Sequence, residues 1–164
     1  MLITPEYREM NAKLHERADY GISGEKWAPL VKEILRQDSY SSILDYGCGK
    51  RTLEKALGFP IQNYDPCIPG LERKDPADLV VCTDVLEHIE PECIDAVLDD
   101  LRAHTRKTAF LVIATKPANK TLPDGRNAHI LQRPYQWWLP KLWERWEMHA
   151  FQDFGYSFLV TLQL

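Results

Sequence analysis

Apolar and polar positions change their spacing several times along the chain, and each change marks a predicted element. Thr4-Pro5-Glu6 starts a helix with a capping hydroxyl, a first-turn proline and an acid at the positive helix end. Tyr7, Met10 and Leu14 follow at helical spacing until Gly21 stops the run. A second helix begins within Ser23–Pro29, with Trp27, Leu30, Val31, Ile34 and Leu35 on one stripe. Ser41–Tyr46 reads as a short buried strand running into Gly47-Cys48-Gly49, and a brief helix through Leu53 and Leu57 closes at Gly58. Ile61–Tyr64 is a second strand, Cys67–Ala77 a loop rich in proline and charge, and Asp78–Cys82 a third strand. Glu90, Pro91 and Glu92 open a helix whose face carries Ile94, Val97, Leu98 and Leu101, and Arg102, His104, Arg106 and Lys107 crowd its negative end. Thr108–Ala114 has the unbroken apolar run of a strand buried on both faces. A polar stretch, Thr115–Arg133, leads to a short helix over Pro134–Leu142, interrupted by Pro140. Trp146, Met148 and Ala150, a turn at Asp153–Gly155, then Tyr156, Phe158, Val160, Leu162 and Leu164 alternate as a hairpin does.

Strands alternating with helices predict an α/β fold, a three-layer sandwich on a mostly parallel sheet with an antiparallel C-terminal hairpin and two N-terminal helices. We expect a single domain over residues 1–164, with N-terminal helices at 1–37, the core at 41–164 and a substrate-side insertion at 115–143. Composition changes little in this picture: 45% hydrophobic and 27% charged residues are ordinary for a globular chain, and a net charge of −4 excludes a uniformly basic protein. No apolar run is long enough for a membrane span, and the start lacks a signal-peptide pattern. The four cysteines, Cys48, Cys67, Cys82 and Cys93, are scattered with no C-x-x-C pair, as expected of reduced thiols in a cytoplasmic protein.

Candidate chemistry gathers at the predicted strand ends, where open parallel sheets bind ligands. ILDYGCGK, Ile43–Lys50, places glycines where a tight turn and a close backbone approach are needed, ahead of a helix N-terminus. A turn would use glycine for structural reasons alone. Asp65, ending the next strand 20 positions after Asp45, adds a carboxylate suited to both ribose hydroxyls of an adenosine-containing ligand.

ILDYGCGK, followed by NYDP and DLVVCTDVLEHI, resembles motifs I, II and IV of class I, Rossmann-like S-adenosylmethionine-dependent methyltransferases, over roughly Ser41–Ala114. The resemblance implies a seven-stranded sheet with its last strand antiparallel. It implies S-adenosyl-L-methionine as cofactor and S-adenosyl-L-homocysteine as product. Asp45 then faces the methionine amino group, with Tyr46, Gly47, Cys48 and Gly49 along the methionine part. Asp65 holds the ribose, Pro66 and Cys67 lie near the adenine, and Thr83, Asp84 and Val85 flank the methyl sulfonium.

Two departures stand out. Arg51 occupies a position where the family often has a third glycine, so it either narrows the pocket or turns toward an anionic substrate. Only Cys67–Ala77 separates the second and third strands, so the usual helix and edge strand are reduced, and Asp75 is the acid left to read the adenine. His88 and His129 are candidate bases for methyl transfer to oxygen or nitrogen, with Glu87 beside them. Some RNA-end methyltransferases hold a divalent cation on a similar set, here Asp84, Glu87, His88 and His129, although D-V-L-E-H-I also occurs in metal-free enzymes and no metal is expected. Residues 116–146 carry a balance of +4 among four tryptophans, which makes nucleic acid a second candidate partner. The expected acceptor is a small or nucleotide-like molecule and the chain a monomer or homodimer. The alternatives are an RNA or DNA methyltransferase and a methyltransferase-like binding domain without turnover.

Overall fold

The apolar runs assemble into one six-stranded sheet in the computed structural model, which describes residues 1–164. The elements are α1 (Pro5–His15), α2 (Gly24–Gln37), β1 (Ile43–Tyr46), α3 (Thr52–Leu57), β2 (Gln62–Tyr64), β3 (Ala77–Thr83), α4 (Ile94–His104), β4 (Thr105–Ala114), α5 (Tyr135–Trp143), β5 (Glu147–Asp153) and β6 (Ser157–Gln163), with a 3-10 turn at Leu86–His88. Strand order is β2-β1-β3-β4-β6-β5, parallel from β2 to β4, with β6 antiparallel to both of its neighbours. The order reverses between β1 and β3, and a crevice opens there at the carboxyl ends of the strands. The seventh strand is absent: the chain passes from β2 to β3 through a loop. Lys74 of that loop packs against the sheet, 3.0 Å from Asp100 and 3.7 Å above the Tyr64 ring.

Side chains alternate along the buried strands and so supply both faces. Val80, Cys82, Leu111 and Ile113 meet α4 and α5 in a core of 21 buried residues. Leu79, Val81, Phe110 and Val112 meet α2 and α3 in a second core of 11. A third, separate cluster joins Tyr7 and Leu14 of α1 to Leu122 and Ala128 of the loop after β4. Thr4 caps α1 by accepting the Tyr7 N–H at 3.3 Å, and Glu90 fixes Thr4 through both its N–H (2.8 Å) and its hydroxyl (2.6 Å).

The structure corrects several expected boundaries. Helix α1 stops at His15 rather than Gly21, where the Lys50 ammonium takes the His15 carbonyl at 2.7 Å. Strand β4 begins at Thr105 because Thr105 already pairs with Ala77, so Arg106 and Lys107 belong to the strand and not to the end of α4. Leu30 is 41% exposed and lies off the buried stripe of α2. Strand β6 sits between β4 and β5 and is buried on both faces, whereas the edge strand β5 is largely exposed.

Candidate active site

Three strand-to-loop junctions meet at the switch point. Gly47, at φ 83°, brings the β1 loop against the β3 loop so closely that a Cβ on it would lie 2.3 Å from a Val85 methyl. Gly49, at φ 49°, has a different neighbour from the one its sequence suggested. A Cβ there would lie 2.5 Å from the Gly21 carbonyl oxygen, so the approaching backbone is the protein's own α1–α2 connection. The Lys50 N–H donates to that same carbonyl at 2.8 Å and pins the connection to the glycine turn.

Beneath this connection lies a cavity of about 530 Å³. Of the residues proposed from sequence, Asp45, Gly47, Cys48, Gly49, Asp65, Pro66, Cys67, Thr83, Asp84, Val85, His88 and His129 all line it. Tyr46 does not. It sits on the opposite face of β1 from Asp45, donates to Asp100 at 2.7 Å and packs against Tyr64. Arg51 is also outside: it holds a left-handed backbone (φ 58°), the conformation a glycine would favour, and turns outward to Glu54 at 2.9 Å. Asp75 is exposed, gives its N–H to Gln62 at 3.1 Å and does not reach the cavity.

The two key carboxylates differ. Asp65 accepts the Cys67 N–H at 2.9 Å and the Gly49 N–H at 3.1 Å, and His15 Nε2 stands 3.6 Å from it. Two more lone-pair directions remain for a ligand. Asp45 is buried with no hydrogen bond to relieve it, and burial, then the charges of Asp65 and Glu54, pushes its carboxyl up to about 7. A buried carboxylate facing a cavity without a partner suits a cationic group of a ligand. Asp84, in a left-handed conformation (φ 55°), is held by the Trp27 indole N–H at 3.0 Å.

The far wall holds His88 and His129, their rings edge to face at 4.7 Å, with Glu87 buried behind them. His129 Nδ1 lies 2.6 Å from the Lys116 carbonyl, which only accepts. A proton therefore sits on Nδ1, and in the neutral ring the lone pair is on Nε2, 4.0 Å from Glu87 Oε1. Burial first, and then His129, push the His88 ring down to about 3, so it is neutral across the physiological range. Glu87 takes the Ala114 N–H at 3.2 Å on one oxygen while the other has no partner, and burial and then Asp84 hold it well above the usual carboxylate range. Residues not singled out from sequence complete the wall: Tyr7, Asn11, His15 and Tyr20. Tyr20 OH lies 3.5 Å from His88 Nδ1 and 3.4 Å from Asn11 Oδ1. They sit along α1 and in the connection after it, where no local motif marks them; only the tertiary fold brings them over the strand ends.

The 116–146 segment is not one basic surface. Lys141 and Arg145 are spent on Asp95 and Asp99 of α4, Arg126 on Asp124, and Lys120 faces Asp19 at 3.8 Å. Trp138 and Trp146 are buried.

Comparison with known proteins agrees with this geometry. The family model described as a methyltransferase domain matches residues 14–161. The chain belongs to that methyltransferase-domain family and carries the Rossmann-like fold of class I methyltransferases. Among solved structures it resembles the Burkholderia thailandensis 1,6-didemethyltoxoflavin-N1-methyltransferase bound to 1,6-didemethyltoxoflavin and S-adenosylhomocysteine (14% identity, 99% of this chain and 91% of that one, TM-score 0.70). It also resembles the methyltransferase domain of bacterial CtHen1-CN (15% identity, 87% and 100%, TM-score 0.62). A third is the magnesium protoporphyrin IX methyltransferase of Synechocystis PCC 6803 with bound S-adenosylhomocysteine (13% identity, 98% and 87%, TM-score 0.56). No curated protein matches the chain in sequence. No helix is long and apolar enough to cross a membrane.

Proposed function

We propose that this cavity holds S-adenosylmethionine along the ends of β1, β2 and β3 and passes its methyl group to an oxygen or nitrogen of a small acceptor lodged against His88 and His129. The observation that carries the reading is Asp45: a buried, unpartnered carboxylate in the same cavity as Asp65 and the two histidines. Asp45 balances the methionine ammonium, Asp65 takes the ribose hydroxyls, Gly47–Gly49 run beside the methionine part, and Pro66 and Cys67 border the adenine. When bound, the cofactor would supply an activated methyl group whose leaving group is a neutral thioether. The protein aligns that displacement and removes the acceptor's proton. His129 Nε2 is the base, because the Lys116 carbonyl keeps the proton on Nδ1; neutral His88 orients the group that His129 deprotonates, and Glu87 is buried behind both rings. Calorimetry with S-adenosylhomocysteine tests the reading. Binding that disappears in Asp45→Asn supports it, and neither heat nor thermal shift at saturating ligand sinks it.

One observation favours a divalent cation on the same wall. Ligand atoms of Glu87, His88 and His129 lie within 4.8 Å of one another, and one Glu87 oxygen is unpartnered. Asp84, the expected fourth member, is outside that cluster and tied to Trp27. Manganese titration followed by electron paramagnetic resonance, with His129→Ala as control, separates this reading from the metal-free base.

A further inference from the structure

The charges around the cavity divide sharply, and the division bears on the acceptor. This step rests on the metal-free methyltransferase reading above. On the cofactor side stand Asp45, Asp65 and Asp84. On the acceptor side the wall consists of hydroxyls, amides and imidazoles, from Tyr7, Tyr20, Asn11, His88 and His129. One lysine borders it. Lys120 is 3.8 Å from Asp19, an exposed rim carboxylate that Arg17 Nε already holds at 3.0 Å, so two cations share one acid at the rim. Of the remaining cations of the 116–146 segment, Arg126 binds Asp124 and lies 6.0 Å from the Tyr7 ring centroid without lining the cavity, and the others bind carboxylates elsewhere, stack on Trp137 or face solvent.

We propose that the acceptor enters this wall as an uncharged hydroxyl or amine donor, and that phosphorylated and nucleic-acid acceptors are excluded because the wall itself holds no cation to answer their charge and the rim offers only Lys120. Burying an unpaired anion is the most costly way to fill such a site. An O–H or N–H group instead finds what the wall offers: the Nε2 lone pair of a neutral His129 and the Tyr20 hydroxyl. Asn11 and Tyr7, 5% and 3% exposed, are held on the buried face of α1. Tyr7 also donates its hydroxyl to the His88 carbonyl at 2.6 Å, which closes the wall toward α1.

The test needs no knowledge of the natural acceptor. Amide relaxation at His88, Ala118, Ala128 and His129 is measured with two nitroxides of the same ring, one bearing an ammonium and one a carboxylate. The measurement is made on the free protein and on the protein saturated with S-adenosylhomocysteine. Enhancement by the cationic probe equal to or greater than that by the anionic one is expected in both states. Inorganic phosphate should leave the four amide shifts unmoved. Anionic enhancement at least twofold greater, or a saturable phosphate shift abolished in Lys120→Met, overturns the proposal and makes Lys120 an anion clamp. Failure of S-adenosylhomocysteine to bind sinks the cofactor reading instead, and the free-protein measurement still reports on the wall.

Discussion

Cofactor-side and acceptor-side residues reach the same cavity by different routes. Asp45, Gly47, Asp65, Thr83 and Val85 each lie within a few residues of a strand end, and the parallel register of β1, β2 and β3 delivers them together. Tyr7, Asn11, His15 and Tyr20 come from α1 and the connection after it, while His129 comes from the loop after β4. What roofs them is the small cluster of Tyr7, Leu14, Leu122 and Ala128, not the 21- and 11-residue cores on the two faces of the sheet. The lesson is a division of labour: the main cores fix the cofactor side, whereas the acceptor side depends on a thin roof whose local opening costs less than global unfolding. Hydrogen exchange should accordingly be faster in α1 and residues 116–130 than in β1, β3 and β4.

The largest expected effect is on the cofactor side. Asp45→Asn removes the carboxylate that answers a ligand cation, and S-adenosylhomocysteine affinity should fall about 100-fold or more, as for truncation of a buried charge pair. Stability should move the other way. A folded-state carboxyl raised to about 7 favours the native state fully below its unfolded value of 3.8 and loses that contribution as pH rises through 7. At pH 8 the ligand-free variant should therefore melt at or above the parent temperature. Loss of binding accompanied by a lower melting point would make Asp45 a structural residue.

Gly49→Ala sharpens the comparison by striking the joint between the two sides. A left-handed alanine costs about 1–2 kcal/mol, and its Cβ meets the Gly21 carbonyl, so about 2–3 kcal/mol should be lost in denaturant unfolding. Gly58→Ala is the control. It shares a positive φ (85°) but meets nothing within 4 Å, and it should cost about 1 kcal/mol. Equal costs would show that the roof does not bear on the glycine turn. A smaller effect follows from titrating Asp45 itself. With its carboxyl near 7, the ionised fraction rises about tenfold between pH 6 and pH 8, and S-adenosylhomocysteine affinity should rise by about the same factor. In Asp45→Asn the slope should vanish.

How much of this was legible in the sequence follows the same division. Asp45, Gly47, Asp65 and the Thr83–Val85 loop could be placed because contiguous motifs sit where strands end. His88 and His129 could be singled out as bases, but their 4.7 Å ring contact is a product of the fold. Tyr46 was misplaced although strand periodicity itself puts it opposite Asp45. The neighbour of Gly49 was invisible for a different reason: it comes from Gly21, across a contact no local pattern encodes. Likewise β6 alternates like a half-buried strand, yet its place between β4 and β5 covers both faces.

Arg51 is where the smallest effect should be found, and it separates backbone from side chain. Its position asks for φ 58°, which an L-residue adopts at a cost, yet its guanidinium has turned away to Glu54 and leaves the cavity untouched. Glycine there relieves the strain but gives up an exposed ion pair, typically worth less than 1 kcal/mol, and adds freedom to the unfolded chain. These terms oppose one another, so Arg51→Gly should change stability by no more than about 1 kcal/mol, and Arg51→Ala, which loses the ion pair and keeps the strain, should be the less stable of the two. Neither should change S-adenosylhomocysteine affinity beyond about twofold, since nothing the ligand touches has moved. A large gain in affinity with glycine would mean that the arginine does obstruct the methionine end of the site, and that the cofactor side is less insulated from its flanks than its geometry implies.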